Sequence, residues 1–314
     1  MSFLKLLTPT NLASERERFF ASADYNPQFE YAWDAKSLKE WGTSQPQYSP
    51  LAQAVLVQDH ARMTHAASDI FGVAYSEQLE KNAQSLTQLM PERTATPSQA
   101  QIADSFARAF SQLGLHEYHL EIAEATGYNF RPSVSQKKIV MSAHANFDYF
   151  SLDGEIRHEL SHVLRAENGI VNRISYSQNY LQTEEGLAAY MQDFGDADGQ
   201  RSLYQHACEY LVTGVLLNGS LRDGFNFLKS KGFSDELAWQ RVIRHKYGWK
   251  DTAQSGDTMK PAMYFAYEQQ VKNHTTEQQL RLYVGKISID DLPQYPEYFG
   301  RFSAEVLQDF FNLT

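Results

Sequence analysis

Hydrophobic positions recur at helical spacing along most of the 314-residue chain, and this pattern predicts a mostly α-helical protein. Ser98 has the chemistry of a helix cap, and we expect its helix to run through Leu113. Asn11 is the corresponding cap of a short helix through Phe20. Further helices are predicted over 50–89, with a break near Gly72, and over 201–217, 221–229, 234–245, 261–271 and 304–311. The prolines and aromatic residues between 24 and 49 indicate extended chain instead.

A short central part of the chain has a different pattern. Residues 118–123 and 138–142 are β-like runs joined by a region that contains turn-forming Gly and Pro. Together with the helical segments, they predict an α+β fold that is mostly α with a small β-sheet. We expect one continuous domain overall, in which a helical N-terminal portion, 1–115, packs on a core of residues 116–314.

One motif directly after the second β-like run carries candidate chemistry. His158, Glu159 and His162 form the pattern H-E-x-x-H. On a helix, this spacing places two imidazoles one turn apart on one face, where they bind one zinc ion. The glutamate beside them is placed to accept a proton from the metal-bound water and pass it to a leaving amine. The motif therefore predicts a zinc peptidase with Glu159 as general base.

The apolar positions around the motif support this interpretation. They recur at helical spacing and form one stripe, Ile156, Leu160, Val163 and Leu164. His158 and His162 fall nearly opposite that stripe, whereas histidines that only fill a core would lie on it. We therefore expect the helix to bury its aliphatic side and to turn both histidines toward a cleft.

A third ligand is expected in the next predicted helix, because catalytic zinc usually takes three protein ligands and one water. Glu184 and Glu185 are the candidates, and helical geometry alone does not separate them. Thr183 is the expected cap of this helix. A His-His-Glu set predicts a thermolysin-like, gluzincin-type core. In such a core the strand before the motif pairs with extended substrate, and His144 after that strand is a further candidate.

Charge and composition narrow the function classes. Lys and Arg total 28 against 38 Asp and Glu, a net charge of −10, which argues against nucleic acid and anionic membranes as partners. The single cysteine, Cys208, allows no internal disulfide. No apolar run has the length of a signal peptide or a membrane span, so we expect a cytoplasmic protein.

The densest basic cluster in this acidic chain lies near residue 245. It contains Arg241, Arg244, Lys246 and Lys250, with Lys260 beyond it, and no acid interrupts 241–250. Arginine binds a terminal carboxylate best, through two parallel hydrogen bonds, so this cluster is a candidate substrate clamp. A solvated basic face is the alternative.

Five blocks in chain order carry a family resemblance. They are 9–11 with 25–31, 162–165 with 168–169, the TEEGLA segment 183–188, 241–244 with 251–252, Lys260 and Tyr264, and 283–287 with 291–293. These blocks resemble the tyrosine/phenylalanine carboxypeptidase domain family, whose signature is QEGLA and which includes the microtubule-associated tyrosine carboxypeptidases. Two features differ: the family usually has H-E-x-x-x-H, and this chain carries extra residues between Arg244 and Asp251.

The resemblance implies roles for particular residues. It makes Glu185, rather than Glu184, the third ligand of one zinc ion per chain. Glu184 is then expected to contact a ligand without binding the metal itself. It also places Arg241, Arg244 and Lys260 near the substrate and Tyr264 as a hydrogen-bond donor to the oxyanion. The implied activity is removal of a C-terminal tyrosine or phenylalanine from a peptide or protein tail.

Two other function classes use the same residues. A zinc endopeptidase or aminopeptidase needs the metal site but no carboxylate clamp, and a non-catalytic regulator would keep only the metal site. The presence of Glu159 argues against a regulator, because zinc binding alone does not require it. We expect weak or no microtubule binding, because the acidic tubulin tails repel a chain of this charge and no basic arm precedes residue 9.

Overall fold

The computed structural model describes residues 6–92, 97–124, 129–145, 151–194 and 201–311. These residues are mostly helical and include a three-stranded sheet, which confirms the predicted mostly α, α+β class. The helices are α1 (Leu12–Ala21), α2 (Ala35–Ser44), α3 (Ser49–Val57), α4 (His60–Phe71), α5 (Glu77–Leu86), α6 (Gln99–Gln112), α7 (Leu152–Asn172), α8 (Tyr180–Phe194), α9 (Arg201–Leu216), α10 (Leu221–Ser230), α11 (Asp235–Arg244), α12 (Lys260–Lys272), α13 (Thr276–Arg281) and α14 (Ala304–Phe311). Within this part of the chain, no helix is long and apolar enough to cross a membrane.

The chain divides into two compact units, and each combines two stretches of sequence. The first unit is Met1–Met90 with Ala207–Met263, and the second is Pro91–His206 with Tyr264–Thr314. The predicted division of the chain into an N-terminal portion, 1–115, and a core, 116–314, stays a prediction.

In the first unit, helix α2 corrects the expectation of extended chain between 24 and 49. Asp34 and Ser37 form a reciprocal capping box that begins this helix. Leu38 and Trp41 then lie on its buried side. The prolines around this helix hide these local signals in the sequence. The predicted break near Gly72 is confirmed, since Gly72 ends α4 in a left-handed conformation.

The sheet of the second unit consists of β1 (His119–Ala123), β2 (Phe130–Ser133) and β3 (Lys138–Ser142). Strand β3 is central, parallel to β1 and antiparallel to β2. The expectation that the strand before the motif pairs with substrate is therefore wrong, because both of its edges are already paired. Strand β2 was not predicted, because it is short and contains Pro132, a residue that edge strands tolerate.

Helices α7 and α8 pack against each other, and α7 carries the motif. The predicted stripe is confirmed, because Ile156, Leu160, Val163 and Leu164 are all buried in the hydrophobic core of this unit. Two glycines permit close approach of the backbones. A Cβ at Gly154 would lie 2.6 Å from the carbonyl oxygen of Gln192, and one at Gly186 would lie 2.5 Å from Cβ of Tyr267.

Candidate metal centre

Helix α7 presents the two histidines of the motif on one face. Ser151, seven residues before His158, caps the helix by accepting a hydrogen bond from the Gly154 N–H. His158 and His162 are one helical turn apart on this face, and the centroids of their rings are 5.0 Å apart. The regular helix thus brings both imidazoles to one place.

Glu185 on α8 completes a group of possible metal ligands. One ligand atom from each of His158, His162 and Glu185 lies within 4.8 Å of the other two. Glu185 Oε2 is 3.7 Å from Nε2 of His162. The structure therefore brings together the three residues predicted as ligands, and their assignment to zinc stays a prediction.

Glu184 lies on the outer side of His162. The Nδ1–H of His162 donates to Glu184 Oε1 over 2.9 Å, and this leaves Nε2 toward Glu185. Arg165 Nη1 and Lys286 Nζ donate to the same carboxylate at 2.7 and 2.6 Å. Burial opposes ionisation, but these two cations hold the pKa of Glu184 well below its ordinary value. Glu184 therefore orients His162 as a carboxylate.

Arg165 explains how a carboxylate is kept ionised in the interior. Its side chain is completely buried. Besides Glu184, it donates to the backbone oxygens of Leu282 at 2.9 Å, Gly285 at 3.1 Å and Ile287 at 2.6 Å. These bonds fix the guanidinium, so that Glu184 is held from a rigid part of the chain.

Gln192 on α8 has the corresponding place behind His158. The Nδ1–H of His158 donates to Gln192 Oε1 over 3.0 Å, and Gln192 Nε2 donates to Glu155 Oε1 over 2.7 Å. Burial lowers the pKa of His158 well below its ordinary value, which favours the neutral ring that binds metals. Gln192 could not be predicted from the sequence, because a glutamine one helix away from His158 belongs to no motif spacing.

Glu159 lies beside the candidate ligands but is not one of them. It is buried, and its Oε2 has no hydrogen-bond partner in the described part of the chain. Burial raises its pKa to about 8. An acceptor oxygen left without a partner next to a ligand group is available to a water molecule there.

Tyr264, at the start of the second stretch of this unit, faces the site. Its ring lies 6.5 Å from the ring of His158, at an interplanar angle of 28°. The ring of His206 is also close to Tyr264, at a centroid distance of 5.8 Å and an interplanar angle of 19°. The structure therefore brings Tyr264 beside the predicted ligands, and it adds His206, which the sequence did not single out.

Two smaller expectations are wrong. His144 does not join the ligand group; its exposed ring pairs with Glu124 at 2.7 Å. Thr183 does not cap a helix, because α8 already begins at Tyr180. Its hydroxyl instead accepts the N–H of Ile289 at 2.8 Å.

The basic cluster, in the first unit, is not a uniformly solvated face. Lys246 is completely buried and donates to the carbonyl oxygens of Gln254 and Gly256 at 2.7 and 2.6 Å. Arg241 pairs with buried Glu209 at 3.0 Å, and Arg244 lies 3.9 Å from the same oxygen. The roles of Arg241, Arg244 and Lys260 in binding substrate stay predictions.

Known proteins resemble most of this chain. Microtubule-associated tyrosine carboxypeptidase 1 of Mus musculus is 27% identical over 317 residues, which cover 94% of this chain and 62% of that protein. The protein of the same name from Rattus norvegicus is 26% identical over 313 residues, with 93% and 61% covered. The chain thus spans about three fifths of the length of the curated relatives it matches. No protein-family model matches it.

Proposed function

Because this chain is related to the microtubule-associated tyrosine carboxypeptidases, we propose that it is a zinc-dependent metallocarboxypeptidase. It would hydrolyse the last peptide bond of a peptide or protein tail and prefer a terminal tyrosine or phenylalanine. The observation that carries this proposal is the convergence of His158, His162 and Glu185 within 4.8 Å, beside the unpartnered oxygen of Glu159.

The residues fit one zinc ion. Two imidazole nitrogens and one carboxylate oxygen form the donor set of gluzincin-type catalytic zinc. Both histidines donate Nδ1–H to acceptors outside the group, Gln192 and Glu184, so that each keeps Nε2 without a proton for the metal. When bound, zinc supplies an acidified water and polarises the substrate carbonyl.

The chain's own residues would then handle the protons. Glu159 accepts a proton from the attacking water and delivers it to the departing amine. Its position suits both steps, because it is buried beside the candidate ligands and its Oε2 has no hydrogen-bond partner among the described residues. Tyr264 would donate a hydrogen bond to the carbonyl oxygen as negative charge develops there.

A peptide panel tests the proposal. Peptides that differ only in a last residue of Tyr, Phe, Leu or Glu should lose that residue at different rates, with Tyr and Phe fastest. A matched peptide with an amidated C-terminus should be stable, because a carboxypeptidase needs the free carboxylate. Equal rates on all four free peptides would remove the aromatic preference. Cleavage of the amidated peptide would indicate an endopeptidase or aminopeptidase instead.

Binding to microtubules is a separate question. The net charge of −10 predicts long-range repulsion from acidic tubulin tails, so we propose that binding to the polymer is weak. Single tails would still be captured at short range, where the charge of the whole protein matters less. Co-sedimentation with polymerised tubulin at two salt concentrations measures this, and tight, salt-sensitive binding would contradict it.

A further inference from the structure

His206 is a third histidine close to the metal centre, but it is not one of the converging ligands. It lies on α9 and is almost completely buried. Its Nδ1 is 3.1 Å from Oε2 of Glu268 on α12. A carboxylate acceptor makes Nδ1 the nitrogen that carries the proton, and it fixes the plane of the ring.

Glu268 is itself held by a second acid. Asp193 on α8 is hydrogen-bonded to Glu268, and burial raises the pKa of Asp193 well above its ordinary value. Burial also raises the pKa of Glu268, to about 7. Two buried carboxyl groups in contact share one proton more easily than they hold two charges. His206 is thus anchored by a pair of acids that are fixed to each other.

The ring of His206 meets the metal centre through Tyr264. The Tyr264 ring has two imidazoles as neighbours, His206 at 5.8 Å and His158 at 6.5 Å. Both interplanar angles are small, 19° and 28°, so that the Tyr264 ring is stacked with each imidazole. A half-buried tyrosine on a helix has several rotamers, and a neighbouring ring that is itself fixed restricts them.

We propose that His206 is a positioning residue of this site, which Glu268 and Asp193 anchor so that it holds the Tyr264 ring against His158. The expected effect of His206 on catalysis rests on the proposed function, because it is in the proposed reaction that the Tyr264 hydroxyl contacts the substrate. The placement of the ring does not depend on that function, so it is measurable without turnover.

Histidine NMR tests the placement directly. In protein labelled with 13C at the histidine Cε1 atoms, the His158 signal carries the ring-current shift of Tyr264. Tyr264→Leu gives the position of the signal without that ring. His206→Leu, which fills most of the volume without a flat ring, should move the signal toward that position, and His206→Phe, which restores a flat ring, should move it back.

A matched control comes from a second buried histidine. His245 is also held by a carboxylate, Asp257, but lies in the first unit and has no place in the stack. His245→Leu should leave the His158 signal where it is. If His206→Leu does not fold, Glu268→Gln keeps the ring but weakens its anchor, and a smaller shift in the same direction is expected. An unchanged His158 signal in either folded variant would overturn the proposal.

A double-mutant cycle tests the consequence for turnover. Tyr264→Phe and His206→Leu should each lower kcat about 10-fold with zinc retained and KM little changed. If His206 acts through Tyr264, the double variant should also lose about 10-fold, rather than the roughly 100-fold expected of independent effects. A loss of about 100-fold would overturn the proposal. If the wild-type protein releases no terminal residue, the proposed function fails, and the NMR result alone decides the placement.

Discussion

Two buried histidines of this protein each have a carboxylate as hydrogen-bond partner but lie in different surroundings. His162 donates Nδ1–H to Glu184 over 2.9 Å, and His245 donates Nδ1–H to Asp257 over 2.7 Å. Each pair lies in the interior of its own unit. A histidine anchored by a carboxylate is often taken as a sign of a catalytic or metal site. These two histidines share that feature, but only His162 lies in a group of possible metal ligands.

The difference lies at the other nitrogen of each ring. Nε2 of His162 faces Glu185, and His158 adds a third donor to the same group. Nε2 of His245 is buried and has no hydrogen-bond partner in the described residues. The neighbouring cation, Lys246, is satisfied by backbone carbonyl groups. Anchoring by a carboxylate therefore does not by itself indicate a metal site, and the proposal of one rests on the convergence of several possible ligand atoms.

Loss of the metal is the largest expected effect and separates the two histidines most clearly. If the proposed zinc site is right, His158→Ala and His162→Ala should abolish stoichiometric zinc binding, because each would remove one of the three proposed ligands. His245→Ala should keep zinc but destabilise the fold by about 3 kcal/mol, since it leaves a buried carboxylate without its partner. Elemental analysis and urea unfolding measure the two effects. If folded His245→Ala protein contained no zinc, the conclusion that His245 has no part in metal binding would be wrong.

Loss of the base is the next largest effect. Glu159→Gln keeps the shape of the side chain but removes the proton acceptor, so kcat should fall by at least about 100-fold. Zinc content should not change, because Glu159 is not among the converging ligands. The measurement is release of a terminal tyrosine by zinc-loaded protein. Near-normal turnover in this variant would leave the proposed reaction without its base.

The two adjacent glutamates should differ in their effect on zinc. Glu185→Ala would remove a proposed ligand, whereas Glu184→Ala would remove only the acceptor of the His162 Nδ1–H. We therefore expect Glu184→Ala to lower the affinity for zinc about 10- to 100-fold and Glu185→Ala to lower it further. Competition with a chelator of known affinity gives both values. The reverse order would show that Glu184 is the ligand.

The smallest expected effect concerns pH. The folded protein holds the Glu159 carboxyl with a pKa of about 8, above the ordinary value of 4.5. Between these values the folded state binds more protons than the unfolded state, so this group lowers stability as pH rises. In metal-free protein, unfolding by urea at about pH 5.5 and pH 8.5 should show a larger loss for wild type than for Glu159→Gln. Equal losses would contradict the raised pKa.

The sequence allowed good predictions where the controlling interactions are local. The four-residue step from His158 to His162 and the apolar stripe are properties of a single helix, and Ser98 forms the capping box expected of it. The α+β class followed from the same local periodicities. Helix α2 was not predicted, because the capping box formed by Asp34 and Ser37 stands in a stretch rich in prolines.

The residues behind the ligands were predictable only in part. Gln192 contacts a histidine 34 residues away, and Glu184 contacts one 22 residues away. No periodicity connects positions on two different helices, so helical geometry left Glu184 and Glu185 as equal candidates for the third ligand, and only the family resemblance separated them. His206 had no signal at all. Local charge was misleading for Lys246, whose positive charge is bound by the backbone of its own loop.

The decisive measurement for the proposed zinc site is the metal content of the protein, together with the effect of removing and restoring the metal. Purified wild-type protein should contain about one zinc ion per chain, bound by His158, His162 and Glu185. Removal of zinc by a chelator should abolish release of a terminal tyrosine, and added zinc should restore it. The claim would be contradicted by protein that contains no transition metal at any occupancy, or by tyrosine release that continues unchanged after the metal is removed.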